Sequence, residues 1–403
     1  MNGNRPEPGR VEGVAESIVL AARDTSPVSG LTHGFYRYPA RFSPVFVRSV
    51  IQAFSSPGDW VVDPFAGGGT ALVEAKALGR NALGIDISSL STFVCEAKTL
   101  LLSDQELAAL ERWRRRLPET INMHAQGHRF ESYADAGYYR NLEGPKFWRL
   151  RKAIEQGLAS VERLRLHGSA VLARCAILRT AQWALDARKK LPSISEFRER
   201  LSAVAKEMAE GALALRRRVE GIGSGIRPQT VTLNRSTAGA HAEELVRQIS
   251  PPKLIVTSPP YPGIHVLYHR WQVDGRREAP APFWIAGKLD GAGESYYAMG
   301  NRRYPDLKTY FDGLEASFKS IAGMAGPETT IVQMVAFSEA DWQLPRYLEV
   351  MDRCGFREEL PWPIDACDGR LWRDVPNRKW HARQKSHAPG SREVVLMHRK
   401  VCR

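Results

Sequence analysis

Short apolar runs alternate with amphipathic stretches along this chain, and their order predicts an α/β protein interrupted by a helical block. Trp60-Val61-Val62 and Asn81 to Ile85 read as buried strands around a helical pattern from Ala71 to Leu78. Before them, Val45, Phe46, Val50 and Ile51 share one side of a helix from Pro44 to Phe54, and Pro57-Gly58-Asp59 turns into the first strand. Val14 to Ala22 reads as a short helix behind a loosely attached arm, Met1 to about Gly13. Later, Gln229 to Leu233, Lys253 to Val256 and Thr329 to Val335 read as strands. Asp306 to Met324 and Leu344 to Arg353 read as helices, the second stopped by Gly355; Arg357 to Trp362 and Glu393 to His398 read as a closing antiparallel pair.

From Leu102 to about Arg227 the strand pattern disappears. Ser103-Asp104-Gln105-Glu106 and Ser193-Ile194-Ser195-Glu196 are capping boxes, opening helices to about Arg116 and Val219. Between them, Pro145 sits where a first-turn proline would, ahead of a helix to about Leu166, and a more apolar helix spans about Ser169 to Ala187. Gly221, Gly223 and Gly225 mark a flexible exit. The basic runs Arg114-Arg115-Arg116 and Arg216-Arg217-Arg218 read as solvated helix faces. Tyr133 to Trp148 mixes aromatic and basic residues, suited to DNA or to packing against the rest of the chain.

Two turns carry candidate chemistry. The first, Asp63-Pro64-Phe65-Ala66-Gly67-Gly68-Gly69-Thr70, joins a strand to a helix. Glycine lets backbone pass close to a ligand, and a helix N-terminus favours polar or anionic groups. Asp63 is placed to accept from a cationic amine. Asp86 ends the next strand about 20 residues later, the spacing at which an acid reaches ribose hydroxyls. The second turn, Thr257-Ser258-Pro259-Pro260-Tyr261, ends a strand abruptly because proline cannot donate to a ladder. It offers a hydroxyl, fixed carbonyls and an aromatic face, parts that suit a flat ring bearing an amine.

Together, DPFAGGGT and TSPPY resemble the amino-methyltransferases of DNA, which methylate cytosine N4 or adenine N6. The resemblance runs from about Leu31 to Thr99 and from Pro251 to Arg399, and includes His33-Gly34-Phe35-Tyr36-Arg37-Tyr38-Pro39-Ala40-Arg41-Phe42. It implies a Rossmann-like seven-stranded methyltransferase sheet with an antiparallel last strand and a helical insertion between the cofactor and catalytic motifs. It implies S-adenosyl-L-methionine held by Tyr38, Pro39, Ala40, Asp63, Phe65, Gly67, Gly69, Thr70, Asp86 and Thr257. The flipped base is held at Ser258, Pro259, Pro260 and Tyr261, where hydrogen bonds to Ser258 and the Pro259 carbonyl favour a pyramidal amine that attacks the sulfonium methyl directly. Members with Ser-Pro-Pro-Tyr usually act on cytosine N4, and those with Asp- or Asn-Pro-Pro-Tyr on adenine N6. Adenine-N6 transfer is therefore the alternative, followed by an RNA methyltransferase and by a non-catalytic DNA-binding subunit of the same fold. The family often has an acid after the third strand, near the adenine ring, where this chain has Asn234-Arg235-Ser236. Methylation at cytosine carbon 5 needs a cysteine nucleophile, in that family after proline, and none of the five cysteines here follows proline.

The 403 residues carry 57 Lys+Arg against 44 Asp+Glu, a net +13 that favours a polyanion partner, double-stranded DNA on this reading. Arg270, Arg276 and Arg277, in an irregular loop from Pro262 to Pro305 that also holds His265, His269, Trp271 and Tyr296-Tyr297, are candidate DNA contacts. So are Arg378, Lys379 and Arg383 in a basic segment from Arg373 to Arg392, read as a phosphate-contacting finger rather than a disordered loop. The cysteines and histidines show no zinc spacing, so no metal is expected. Neither a leader nor a run of 18 apolar residues is evident, so the expected setting is cytoplasmic, with cognate restriction or phage-defence proteins as possible partners. The expected division is an arm (1–30), a cofactor-binding half (31–101), a helical insertion as the candidate target-recognition unit (102–227), and a catalytic half with DNA-contacting loops (228–403).

Overall fold

The computed structural model describes residues 8–38, 42–223, 225–263, 270–275, 277–290, 297, 299, 306–364, 368–374 and 392–401. Ten strands occur among them: β1 (Trp60–Asp63), β2 (Asn81–Asp86), β3 (Thr230–Asn234), β4 (Leu254–Thr257), β5 (Trp271–Val273), β6 (Arg277–Ala279), β7 (Thr330–Ala336), β8 (Phe356–Glu359), β9 (Leu371–Asp374) and β10 (Arg392–Lys400). The main sheet runs β3-β2-β1-β4-β7-β10-β8. Its first five members are parallel, and β10 enters antiparallel to β7. Strand β9 is an eighth member, sharing the outer edge of β10 with β8: it faces Arg392 to Val395, and β8 faces Met397 to Lys400.

Side chains alternate between two buried faces, as expected of a parallel sheet covered on both sides. Val62, Leu83, Ile85, Ile255, Ile331 and Leu396 pack beneath helices Lys308–Met324 and Ala340–Arg353. Val61, Ala82, Leu254, Val256, Val332 and Val395 pack beneath helices Pro8–Arg23, Pro44–Phe54 and Thr70–Ala77. Each fully buried Val, Leu or Ile contributes about 1.5–3 kcal/mol, so the interior strands are held from both sides.

Between β2 and β3 lie helices Asp104–Arg115, Trp148–Val161, His167–Leu185 and Ile194–Glu220. Both capping boxes form, with the Ser103 and Ser193 hydroxyls accepting from the Glu106 and Glu196 amides. Leu158, Leu172, Ile177, Phe197, Leu201 and Met208 build a separate core that also takes in Phe35, Tyr36, Phe93 and Trp271.

Four stretches differ from the sequence reading. The first helix starts at Pro8 rather than Val14, since proline is tolerated in a first turn and polar residues do not break a helix with one exposed side. Pro145 opens a 3₁₀ turn, Pro145–Phe147, and the following helix ends at Val161. Helix Ala340–Arg353 begins four residues early and contains Pro345. The loop after TSPPY is not irregular throughout. It holds the hairpin β5–β6, turning at Asp274 (φ +50°) and Gly275 (φ +89°), and helix Ala281–Ala286. Strands of three residues are too short to show a period; Trp271, Phe283 and Trp284 are instead fixed by burial against the helical block. The Asp-Gly pair was the available signal.

Candidate cofactor and base site

Strand order reverses at β1, whose neighbours are β2 and β4, and the C-terminal ends of all three strands meet there. Asp63 ends β1 and is 3% exposed. Its Oδ1 accepts from the Phe65 amide at 3.1 Å and from Thr257 Oγ1 at 2.6 Å. Burial pushes its carboxyl up to about 7; those two bonds oppose the shift, and the charge of Asp86 adds to it. Asp86 ends β2, accepting from the Gly67 amide at 2.7 Å and the Ser88 amide at 2.8 Å. Burial also raises its carboxyl, against those bonds.

The glycine turn requires glycine at two positions. Gly67 and Gly69 have φ of +49° and +73°, and a Cβ on Gly69 would lie 2.9 Å from Cys95 Sγ. Beneath the turn, Ser91 Oγ donates to the Gly67 carbonyl and Lys98 Nζ to the Gly68 carbonyl, each at 2.6 Å. Both donors come from helix Ser89–Thr99, so the turn's carbonyls are committed on that side. Thr70 begins helix Thr70–Ala77. Tyr38 is buried against the turn, its ring 3.5 Å from where a Gly67 Cβ would stand. Pro39 and Ala40 lie outside the described residues.

The stretch carrying Tyr38 is fixed to the same helix by residues the sequence reading passed over. Glu74 is fully buried and bonds His33 Nε2 at 2.8 Å and Arg48 through both carboxylate oxygens. Burial holds the His33 imidazole below its ordinary range, although Glu74 opposes this. A buried acid midway along a short apolar helix was the signal available in sequence.

At the end of β4 the second turn is tied down at several points. Thr257 is bonded to Asp63, and Tyr310 donates its hydroxyl to the Pro260 carbonyl at 2.7 Å. Ser258 Oγ lies 2.9 Å from the Tyr261 hydroxyl, which donates to Glu393 Oε1 at 2.7 Å. Glu393 is paired in turn with Arg373, Nη2 to Oε2 at 2.6 Å. Neither Glu393 nor Arg373 was singled out in the sequence, because both lie far along the chain: the β4–β7 and β7–β10 pairings bring Glu393 toward the turn, and the β9–β10 pairing sets Arg373 beside it.

Of the candidate DNA contacts, the described residues include Arg270 and Arg277. Arg270 is paired with Asp290 at 3.0 Å and only 20% exposed, so its charge is already partnered. Arg277 is exposed and lies 3.6 Å from Asp274. Arg276, Arg378, Lys379 and Arg383 lie outside the described residues. Asn234, where the family often has an acid, donates to the Asp86 and Ile87 carbonyls. Among the described residues no group of three His, Cys, Asp or Glu is arranged to hold a metal, and no helix is long and apolar enough to cross a membrane.

Residues 17–91, covering Asp63, the glycine turn and Asp86, match the N6_N4_Mtase family model, described as DNA methylase. Over that segment the chain is similar to DNA methylases. The chain is 36% identical over 75 residues to the Type II methyltransferase M.MjaII of Methanocaldococcus jannaschii, 19% of this chain and 14% of that protein. It is 40% identical over 81 residues to the Type II methyltransferase M.BsoBI of Geobacillus stearothermophilus, 20% of this chain and 16% of that one. It is also 34% identical over 86 residues to the DNA adenine methyltransferase YhdJ of Escherichia coli, 21% of this chain and 28% of that protein. The alignments thus span less than a third of each of these relatives. Among solved structures, the rRNA methyltransferase aviRa of Streptomyces viridochromogenes aligns over 92% of this chain and 90% of that one at 13% identity, with a TM-score of 0.38.

Proposed function

We propose that this protein transfers methyl groups from S-adenosyl-L-methionine to the exocyclic N4 amine of cytosine in double-stranded DNA. The observation that carries the reading is the 2.6 Å bond between Thr257 and Asp63. It ties the acid suited to the methyl donor to the turn suited to the accepting amine.

The residues at the ends of β1 and β2 fit the cofactor. Asp63 is a desolvated carboxyl suited to a cationic amine. Gly67 leaves open the space a Cβ would take beside Tyr38. Asp86 ends the second strand, where ribose hydroxyls are taken. Phe65, Gly69, Thr70 and Thr257 complete the set, and Pro39 and Ala40 belong to it by resemblance. The cofactor supplies an electrophilic methyl group. The protein's part is to hold the amine. An aromatic amine has its lone pair delocalised into the ring, and acceptors at Ser258 and the Pro259 carbonyl draw its N–H bonds toward a pyramidal geometry. Positioning and preorganised acceptors account for most of the rate. Tyr261 stacks on the base and offsets part of the few kcal/mol needed to unstack it.

A cysteine nucleophile is not called for. Burial pushes the thiols of Cys95 and Cys175 up to about 12 and that of Cys354 to about 11, far from the reactive thiolate. Ser258, in place of Asp or Asn, favours cytosine. The similarity to YhdJ favours adenine N6 as the second reading. Cognate restriction or defence proteins are the natural partners of such an enzyme, and Arg276 and Arg277, with the basic segment holding Arg378, Lys379 and Arg383, would meet phosphate. Incubating the protein with plasmid DNA and methyl-labelled cofactor tests the reading. Label in the DNA that is incorporated about 100-fold more slowly in Ser258→Ala supports it; no label with cofactor bound points to a non-catalytic DNA-binding protein.

A further inference from the structure

Beyond the turn itself, a chain of hydrogen bonds leads from Ser258 to the far end of the sheet. Arg373 donates to Glu393 Oε2 through Nε at 2.7 Å and pairs with it through Nη2 at 2.6 Å. Its Nη1 also donates to the Ala22 carbonyl at the end of the first helix, at 3.3 Å. Both side chains are more than nine-tenths buried. Glu393 Oε1 faces the Tyr261 hydroxyl at 2.7 Å, and that hydroxyl faces Ser258 Oγ at 2.9 Å.

The order of donors in this chain has one solution. A carboxylate only accepts, so the Tyr261 proton points at Glu393. The Tyr261 oxygen then accepts, and the Ser258 proton points at Tyr261. What Ser258 can offer a ligand is lone pairs. A serine hydroxyl left to itself can donate or accept, and would serve a ring amine and a ring carbonyl alike. The Arg373–Glu393 pair at one end is buried and Ser258 and Tyr261 are half-buried, so the fixed carboxylate sets the direction of the hydroxyl protons.

We infer that Glu393, held by Arg373, acts through Tyr261 to fix Ser258 as an acceptor, selecting a ring that presents an N–H donor over one that presents a carbonyl. The inference rests on the amine-methylation reading of the site and adds two positioning residues to it. Glu393 touches no reacting atom.

Double-mutant kinetics test this, with labelled methyl transfer to plasmid DNA as the assay and calorimetry with S-adenosylmethionine as the control. Glu393→Gln, whose amide can donate to Tyr261 and reverse the chain, is expected to lower kcat about 10-fold, as is Tyr261→Phe, with cofactor affinity unchanged. In a Ser258→Ala background, Glu393→Gln should have no further effect, because the group it orients is gone. Tyr261→Phe keeps the ring and both members of the ion pair, so it answers the question even if Glu393→Gln folds poorly. An undiminished loss from either change on top of Ser258→Ala, in a protein whose wild type methylates DNA, overturns the positioning role and leaves the enzyme reading intact. A wild type that binds cofactor and transfers no methyl overturns the amine-transfer reading and this inference with it.

Discussion

If Asp63 receives a cationic amine, cofactor binding must depend on pH in a way the fold dictates. Burial raises the Asp63 carboxyl to about 7, so near pH 6 only about one molecule in ten of the free protein carries it ionised. A cation binds the ionised form, so affinity should rise about 10-fold from pH 6 to its plateau, at about one proton released per cofactor bound. The amine of the cofactor loses its own charge near pH 8, which closes the window from above. Without ligand the sign is reversed. A raised carboxyl binds more protons folded than unfolded, so stability from this group is lost as pH rises from about 4 to 7, on the order of 4 kcal/mol in all. Calorimetry with S-adenosylmethionine from pH 5.5 to 8, in two buffers of different ionisation enthalpy, measures both affinity and proton release. Asp63→Asn keeps an acceptor for Thr257 but loses the charge; it should weaken binding about 10–100-fold and abolish the dependence. Thr257→Val removes a bond that favours the ionised form and should move the midpoint up. Affinity that is flat between pH 6 and 7.5, or unchanged in Asp63→Asn, would refute the reasoning.

Three further outcomes are expected. Gly69→Ala meets both a left-handed backbone and Cys95, so it should cost about 1–3 kcal/mol in chemical unfolding and weaken cofactor binding; a neutral result would mean the turn is not fixed as described. His398 is buried in the sheet, and burial with the nearby charge of Arg370 lowers its imidazole to about 3. Its contribution is complete above about pH 6.5 and is lost toward pH 3, by about 1.4 kcal/mol per unit. His398→Gln should therefore show a shallower loss of stability between pH 6 and 4.5, and equal slopes would disprove that origin. Replacing Arg378 and Lys379 should weaken DNA binding equally for all sequences and lower the salt slope by about one per lost contact, while an unchanged slope places the DNA elsewhere.

Much of the site was legible because its parts are local. Asp63, the glycine turn and Asp86 fall within one strand-turn-helix-strand unit, and each residue type states its own reason for being there. Ser258 and Tyr261 were legible because two prolines fix the turn that presents them. Glu393 and Arg373 were not, since their role depends on the β9–β10 pairing and on which strand edge reaches Tyr261. The contact between Glu74 and His33 spans 41 residues and leaves no periodic trace. The β5–β6 hairpin was missed for a different reason, since its strands of three residues owe their shape to the burial of Trp271 rather than to any alternation. Helices of the inserted block were read closely because capping boxes mark their starts, whereas the packing of Trp271 and Trp284 onto that block could be known only from tertiary contacts.

The central claim is that this site places a methyl group on the N4 amine of cytosine in DNA. Mass spectrometry of nucleosides from DNA incubated with the protein and S-adenosylmethionine tests it most directly. The account predicts N4-methylcytosine, formed about 100-fold more slowly when Ser258 is replaced by alanine. N6-methyladenine as the sole product would contradict the choice of base, and no methylated nucleoside at all, with cofactor bound, would contradict the claim itself.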